Sequence, residues 1–326
     1  MVFTEHLADV GNGQIEYLDT GASTNQGNYN TFLFIPGAGH TARTQSLSQQ
    51  LIDTDCYDRV LDCVPTGVRA IAMSQRGVGK SSELSPDEMS GNVPPRKLYD
   101  LHVLDIQNLL QYMRDELKIS RLTILVWSAS CSAILGLFTP EHLPVTQTFF
   151  PFVERIVLWE PPTPVVLDIP RTATGIAHRV VGEFPAHVAL FISNPPDYLA
   201  DRTVGKYTQV FPSEGSTLND PDYPSWSKNA VDLHSWPANF RALISNDRTE
   251  MKDKVREACH NLAHANVRKG VLYGTKALPD CIEGCWVVRD WIEEVGGQCT
   301  VFRYPLRWPL TLGYRHGGSK PFCPIP

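Results

Sequence analysis

Apolar residues follow two periods along this chain. Residues 14–18 alternate apolar with polar, and residues 32–35, 68–73, 122–127, 156–159, 269–274 and 299–304 form short runs rich in apolar or β-branched side chains. Each run predicts a strand. Residues 99–117 instead place Leu101, Leu104, Ile106, Leu109, Leu110 and Met113 near helical spacing with polar residues opposite. Residues 43–53 read as helical, and residues 281–296 form an amphipathic helix stopped at Gly296-Gly297. Strands alternating with helices predict an α/β fold, a mostly parallel central sheet with helices on both faces.

That alternation stops between residues 162 and 265, where proline, aromatic and histidine residues accumulate around short helical pieces. This stretch predicts an inserted lid. Residues 1–161 then form the first part of a core, 162–265 the lid and 266–326 the last part of the core, ending in a coil-like tail.

The most informative stretch is LTILVWSASCSAILGLF, residues 122–138. An apolar strand gives way to a helix across five small residues, Ser128, Ala129, Ser130, Cys131 and Ser132. A change of direction this sharp crowds its centre, so only small side chains are tolerated. The pattern is small-x-Ser-x-small, the nucleophile elbow, with Ser130 expected at the tip and a helix N-terminus beside it to favour an anion. Serines 128 and 132 stand where glycines are usual, and each Cβ adds strain to the turn.

Two further loops follow predicted strands. Pro36-Gly37-Ala38-Gly39-His40 is a glycine-rich turn that suits either a close backbone donor, such as an oxyanion hole with Ala38 as donor, or a dinucleotide loop. Its G-x-G lacks the third glycine and the following acid of the latter. Ser74 to Ser82 contains Gly-x-Gly-Lys-Ser, but the first glycine of a phosphate loop is replaced by Ser74. His40 and Arg76 fall near the expected mouth. Arg76 reads either as a substrate contact or as an anchor of its loop.

Composition narrows the class. Hydrophobic residues make up 42% and charged residues 20%, as in ordinary globular chains. A net charge of −6 without a basic cluster argues against nucleic acid. No apolar run reaches membrane-spanning length, and the first residues lack the basic start and apolar core of a signal peptide, which predicts a cytoplasmic protein with no membrane partner. The eight cysteines are scattered and read as free thiols. Cys281 and Cys285 have i, i+4 spacing but no second Cys/His pair, so no metal or other cofactor is expected. Oligomeric state is left open, a homodimer included.

Together, FIPGAGH, SQRGVGKSS, VWSASCSA, LWEPP and Arg315-His316-Gly317-Gly318 resemble the α/β-hydrolase fold superfamily. The resemblance spans nearly the whole chain apart from the lid. VWSASCS followed by WEPP is partly similar to fungal lactone hydrolases acting on the macrolactone zearalenone. In that group a glutamate ending the strand after the elbow is the triad acid.

The resemblance implies the chain order serine, acid, histidine. Ser130 is then the nucleophile and His316 the base, being the one histidine of ten that follows the last predicted strand. Two acids compete. Glu160 closes the strand after the elbow, while Asp280 follows the strand at residues 269–274, three residues later than the common G-x-x-D pattern. The oxyanion hole falls to the amides of Ala38 and Cys131, with Gly37, His40 and Arg76 as substrate contacts. Serine at the elbow points to acyl transfer, where aspartate would point to dehalogenation or epoxide hydrolysis. The expected activity is hydrolysis of a medium-sized apolar ester or lactone. Two other readings remain: a non-hydrolytic biosynthetic enzyme on the same fold, and an inactive small-molecule receptor.

Overall fold

A computed structural model describes residues 3–22, 30–37, 64, 67–90, 92–161, 248–274 and 279–304. The expected helix at 43–53, the lid residues 162–247 and the tail 305–326 lie outside the described residues.

The described strands are β1 (Thr4–Asp9), β2 (Gln14–Asp19), β3 (Thr31–Ile35), β4 (Arg69–Met73), β5 (Leu122–Trp127), β6 (Val153–Trp159), β7 (Arg268–Gly274) and β8 (Cys299–Tyr304). They form one sheet in the order β1-β2-β4-β3-β5-β6-β7-β8. From β4 to β8 every pairing is parallel, while β1–β2 and β2–β4 are antiparallel. The strand β1 carries mostly exposed residues, and its weak apolar signal hid it from the sequence.

The central strands are covered on both faces, so they are mostly apolar, as in the buried runs Phe32–Ile35 and Ile124–Trp127. Their side chains still alternate between two cores. Leu33, Ile35, Ile124, Val126, Ile156 and Leu158 enter the larger one. Phe32, Phe34, Leu125, Trp127, Val157 and Trp159 enter the other. The described helices are α1 (Pro86–Ser90), α2 (Pro95–Asp115), α3 (Ser130–Gly136), α4 (Leu143–Phe149), α5 (Arg248–His264) and α6 (Pro279–Glu294). Helices α2 and α3 approach closely at Gly136, where an added Cβ would lie 2.5 Å from Val103 Cγ2. The helix α5 buries Val255, Ala258, Cys259 and Leu262 in the larger core. This helix falls inside the stretch 162–265 read as the insertion.

The loop after β4 explains its glycines without a phosphate. It wraps the carboxylate of Glu16, which is 1% exposed. Ser74 Oγ donates to Glu16 Oε2 at 2.8 Å and the Lys80 amide at 3.1 Å. Gly79 turns there with φ of +61°, and a Cβ on it would sit 2.0 Å from Glu16 Oε2. The anion held by Gly-x-Gly-Lys-Ser is thus one of the chain's own. Gly79→Ala is expected to lower stability by roughly 2–4 kcal/mol, from left-handed backbone strain plus displacement of a buried carboxylate. Urea unfolding measures it, and an unchanged midpoint would contradict this view of the loop.

Candidate active site

In an open α/β sheet, ligands gather beyond the carboxyl ends of the strands. Here β5 and β6 end level with each other, with Trp127 paired to Trp159. The next residue on each strand leaves the sheet in a left-handed conformation, Ser128 at φ of 56° and Glu160 at 51°. Neither is glycine, so each conformation is strained, at a cost of about 1–3 kcal/mol. Backbone bonds hold both in place. The Ser128 amide donates to Trp159 O at 2.8 Å, and the Glu160 amide donates to Leu272 O at 2.9 Å.

The bend therefore differs from the expected one. Its left-handed residue is Ser128, two positions before the Ser130 read as the tip. Ala129 is already right-handed, and α3 begins at Ser130. Ser130 is fully buried, and its hydroxyl donates to Pro36 O at 2.6 Å. The side-chain amide of Gln75 donates to Ser130 Oγ at 2.5 Å and to Pro36 O at 3.4 Å. Ser132 is equally buried, and its hydroxyl donates to Ala129 O at 2.7 Å. Ser128 is half-buried, and among the described residues its hydroxyl has no hydrogen-bond partner.

The same geometry bears on Cys131, expected as an oxyanion donor. The Cys131 amide is taken, donating to Ser128 O at 3.0 Å in the first turn of α3. The Ala129 amide has no partner among the described residues. Gly37 brings its turn against the bend, where an added Cβ would lie 3.1 Å from Trp127 Cε3 and 3.3 Å from Ser128 Cβ. A side chain here would force the Trp127 ring or Ser128 to give by a few tenths of an ångström. Ala38 and His40, the other residues expected there, lie outside the described residues, as does His316.

Glu160 is 1% exposed, and its Oε1 accepts the Gly274 amide at 3.1 Å. Asp280 falls in the first turn of α6, and its side chain lies outside the described residues. Arg76, one of the expected substrate contacts, is instead committed within the core. Its guanidinium binds Asp105 through two bonds, of 2.8 and 2.6 Å, and reaches Asn12 Oδ1 at 3.3 Å. Burial raises the Asp105 carboxyl above its usual range, against the opposing pull of Arg76. Gln75, which ties the bend to the Pro36 turn, escaped the sequence reading. Its position directly after a strand, level with the other loops, was the available signal.

The arrangement can present a hydroxyl and a carboxylate on neighbouring strand ends, beside a glycine turn. Among the described residues no group of three metal-ligating side chains comes together, and no helix is long and apolar enough to cross a membrane.

No family profile and no curated protein matches the sequence. Solved structures do match in shape. A haloalkane dehalogenase from Bradyrhizobium elkanii superposes with a TM-score of 0.59 at 12% identity, covering 95% of this chain and 91% of its own. The chain has the α/β-hydrolase fold. Other α/β-hydrolase structures agree. The thioesterase domain from the curacin biosynthetic pathway has a TM-score of 0.52 at 14% identity, covering 93% of this chain and 92% of its own. The N-formylmaleamic acid deformylase from Pseudomonas putida has a TM-score of 0.52 at 13% identity, covering 92% of each chain. These similarities do not reach the narrower likeness to zearalenone-type lactone hydrolases.

Three thiols of this α/β-hydrolase fold lie buried in the larger core. Burial pushes the thiols of Cys131, Cys259 and Cys285 well above their usual value. The Glu160 carboxylate pushes Cys131 and Cys285 further in the same direction. Iodoacetamide at mildly alkaline pH is expected to leave these three unmodified in the native protein and to alkylate them in urea. Peptide mass spectrometry reads the difference, and rapid native alkylation of Cys131 would contradict it.

Proposed function

We propose that this chain is a serine hydrolase that opens an ester or lactone of a medium-sized apolar substrate through an acyl-enzyme. One observation carries the reading: a serine-bearing left-handed bend ends β5 beside a buried glutamate that ends β6. Strained polar residues persist where their surroundings over-determine them, and they cluster at sites of chemistry.

In this reading an elbow serine attacks the substrate carbonyl, and a base takes its proton. His316 is that base, following the chain order serine, acid, histidine. Glu160 is the acid that orients the imidazole and stabilises its charge. Its support is position, on the strand next to the bend, with one carboxylate oxygen held by the Gly274 amide. Asp280 is the competing acid. Backbone amides of the bend and of the Pro36-Gly37-Ala38 turn stabilise the oxyanion. The aromatic and proline content of residues 162–247 supports an apolar substrate, since pockets of that kind bury most of a ligand. The non-hydrolytic reading rested on distortion by serines in place of glycines, and the bend forms with those serines present.

A fluorophosphonate and a panel of aryl esters and macrolactones test the proposal on the full chain. The protein is expected to form a stoichiometric adduct and to turn over at least one ester class. Glu160→Gln is expected to lower kcat by about 10³–10⁴, as loss of a triad acid does, with folding checked by circular dichroism. Absence of both adduct and turnover would overturn the hydrolase reading. Wild-type rates in Glu160→Gln would remove Glu160 from it.

A further inference from the structure

Resting on that reading, the geometry points to Ser128, not Ser130, as the catalytic residue, with Ser130 as a positioning residue that fastens the oxyanion turn beneath it. Four independent features of the bend carry the assignment.

The first is backbone shape. A nucleophile must stand clear of the strand it ends and of the helix it precedes. Ser128, at φ of 56°, is the residue between β5 and the right-handed Ala129, whereas Ser130 is already the first residue of a helix. The second is hydroxyl commitment. Ser130 Oγ donates to Pro36 O at 2.6 Å and accepts from Gln75 Nε2 at 2.5 Å, in a fully buried position. Its proton is already given to a carbonyl, so a base would have to break that bond to take it. Ser128 is half-buried, with no such partner among the described residues.

The third is the donor that follows each serine. An oxyanion formed on a nucleophile is met by the amide of the next residue. After Ser130 that amide belongs to Cys131 and is occupied by Ser128 O at 3.0 Å. After Ser128 it belongs to Ala129, whose N–H donates no hydrogen bond among the described residues. The fourth is the neighbourhood. Gly37 approaches Ser128 so closely that a Cβ on it would lie 3.3 Å from Ser128 Cβ. Glu160 stands at the matching position on the adjacent strand, one residue past the Trp127–Trp159 pair.

Ser128 Oγ therefore forms the bond to the substrate carbonyl carbon, and the carbonyl π pair moves onto oxygen. The hydroxyl proton passes to the general base of the proposed reading. Collapse breaks the carbon–oxygen bond to the alkoxide, which takes that proton and leaves an ester on Ser128. Water repeats the sequence and frees the acid. Ser130 does not touch the substrate. Through Pro36 O it sets the level at which Pro36 and Gly37 follow β3, and Gln75 binds the same carbonyl from the β4 side.

The deciding experiment needs no variant. Wild-type protein is treated with a fluorophosphonate, whose phosphorus bonds the reacting oxygen as fluoride leaves with the displaced proton. Trypsin then releases residues 122–155 as one peptide, because no Lys or Arg lies between Arg121 and Arg155. Fragment ions separate position 128 from 130 and 132. The adduct is expected on Ser128. An adduct on Ser130 or Ser132 overturns this assignment while the hydrolase reading stands, and no adduct at all overturns both.

Variants give a second readout. Ser128→Ala is expected to abolish labelling and to lower kcat by at least about 10³. Ser130→Ala is expected to keep its label on Ser128 and to lower kcat by roughly 10–100-fold with KM little changed, the loss expected of a slightly misplaced donor. A folded Ser130→Ala that no longer labels contradicts the assignment.

Discussion

The register in which β5 meets β6 sets the level of everything at the carboxyl end of the sheet. Trp127 and Trp159 occupy the same rung, and their rings lie 6.2 Å apart on the smaller core face. Truncating a buried tryptophan typically costs about 3–5 kcal/mol, so a slip of this rung by one residue would expel both rings from their core. The rung also decides which two residues leave the sheet together. Those are Ser128 and Glu160, and their left-handed strain is small beside the packing that imposes it.

Below the bend, serines do work that glycines could not. Ser130 ties the start of α3 to the carbonyl of Pro36, and Ser132 bonds the carbonyl of Ala129. Tyr99 on α2 adds a third fastener by donating to Ser132 O at 2.9 Å. Each is a buried hydrogen bond worth about 0.5–1.5 kcal/mol net. Glycines at these places would relax the turn but leave Gln75 and the Pro36 carbonyl without Ser130 between them. The usual small flanking residue has become a fastener that joins three loops.

Much of this was legible in the chain. Seven strands and the helices α2 and α6 follow from apolar period alone, whereas α5 was hidden in the stretch read as the insertion, and Glu160 follows from closing an apolar run. The bend itself was located by motif spacing, small-x-Ser-x-small centred on Ser130. Counting from the end of the apolar strand would have chosen the first serine after Trp127 instead. The spacing could not place the left-handed residue, because Ser128, Ser130 and Ser132 are chemically alike and only backbone φ and burial separate them. The ion pair of Arg76 was hidden for a related reason: its partner, Asp105, sits 29 residues away on α2, a pairing no local pattern reveals. Glu16 likewise closes the glycine loop from β2, 58 residues before Ser74.

Fold alone leaves chemistry open, since one scaffold carries many reactions. What we propose for this chain is a division of labour between two serines two residues apart. A crystal structure of the phosphonylated protein tests it most directly. The account requires phosphorus bonded to Ser128 Oγ, a positive φ at residue 128 and the phosphonyl oxygen within hydrogen-bonding distance of the Ala129 amide. A phosphorus–oxygen bond at Ser130, with the left-handed turn moved there and α3 starting later, would contradict it.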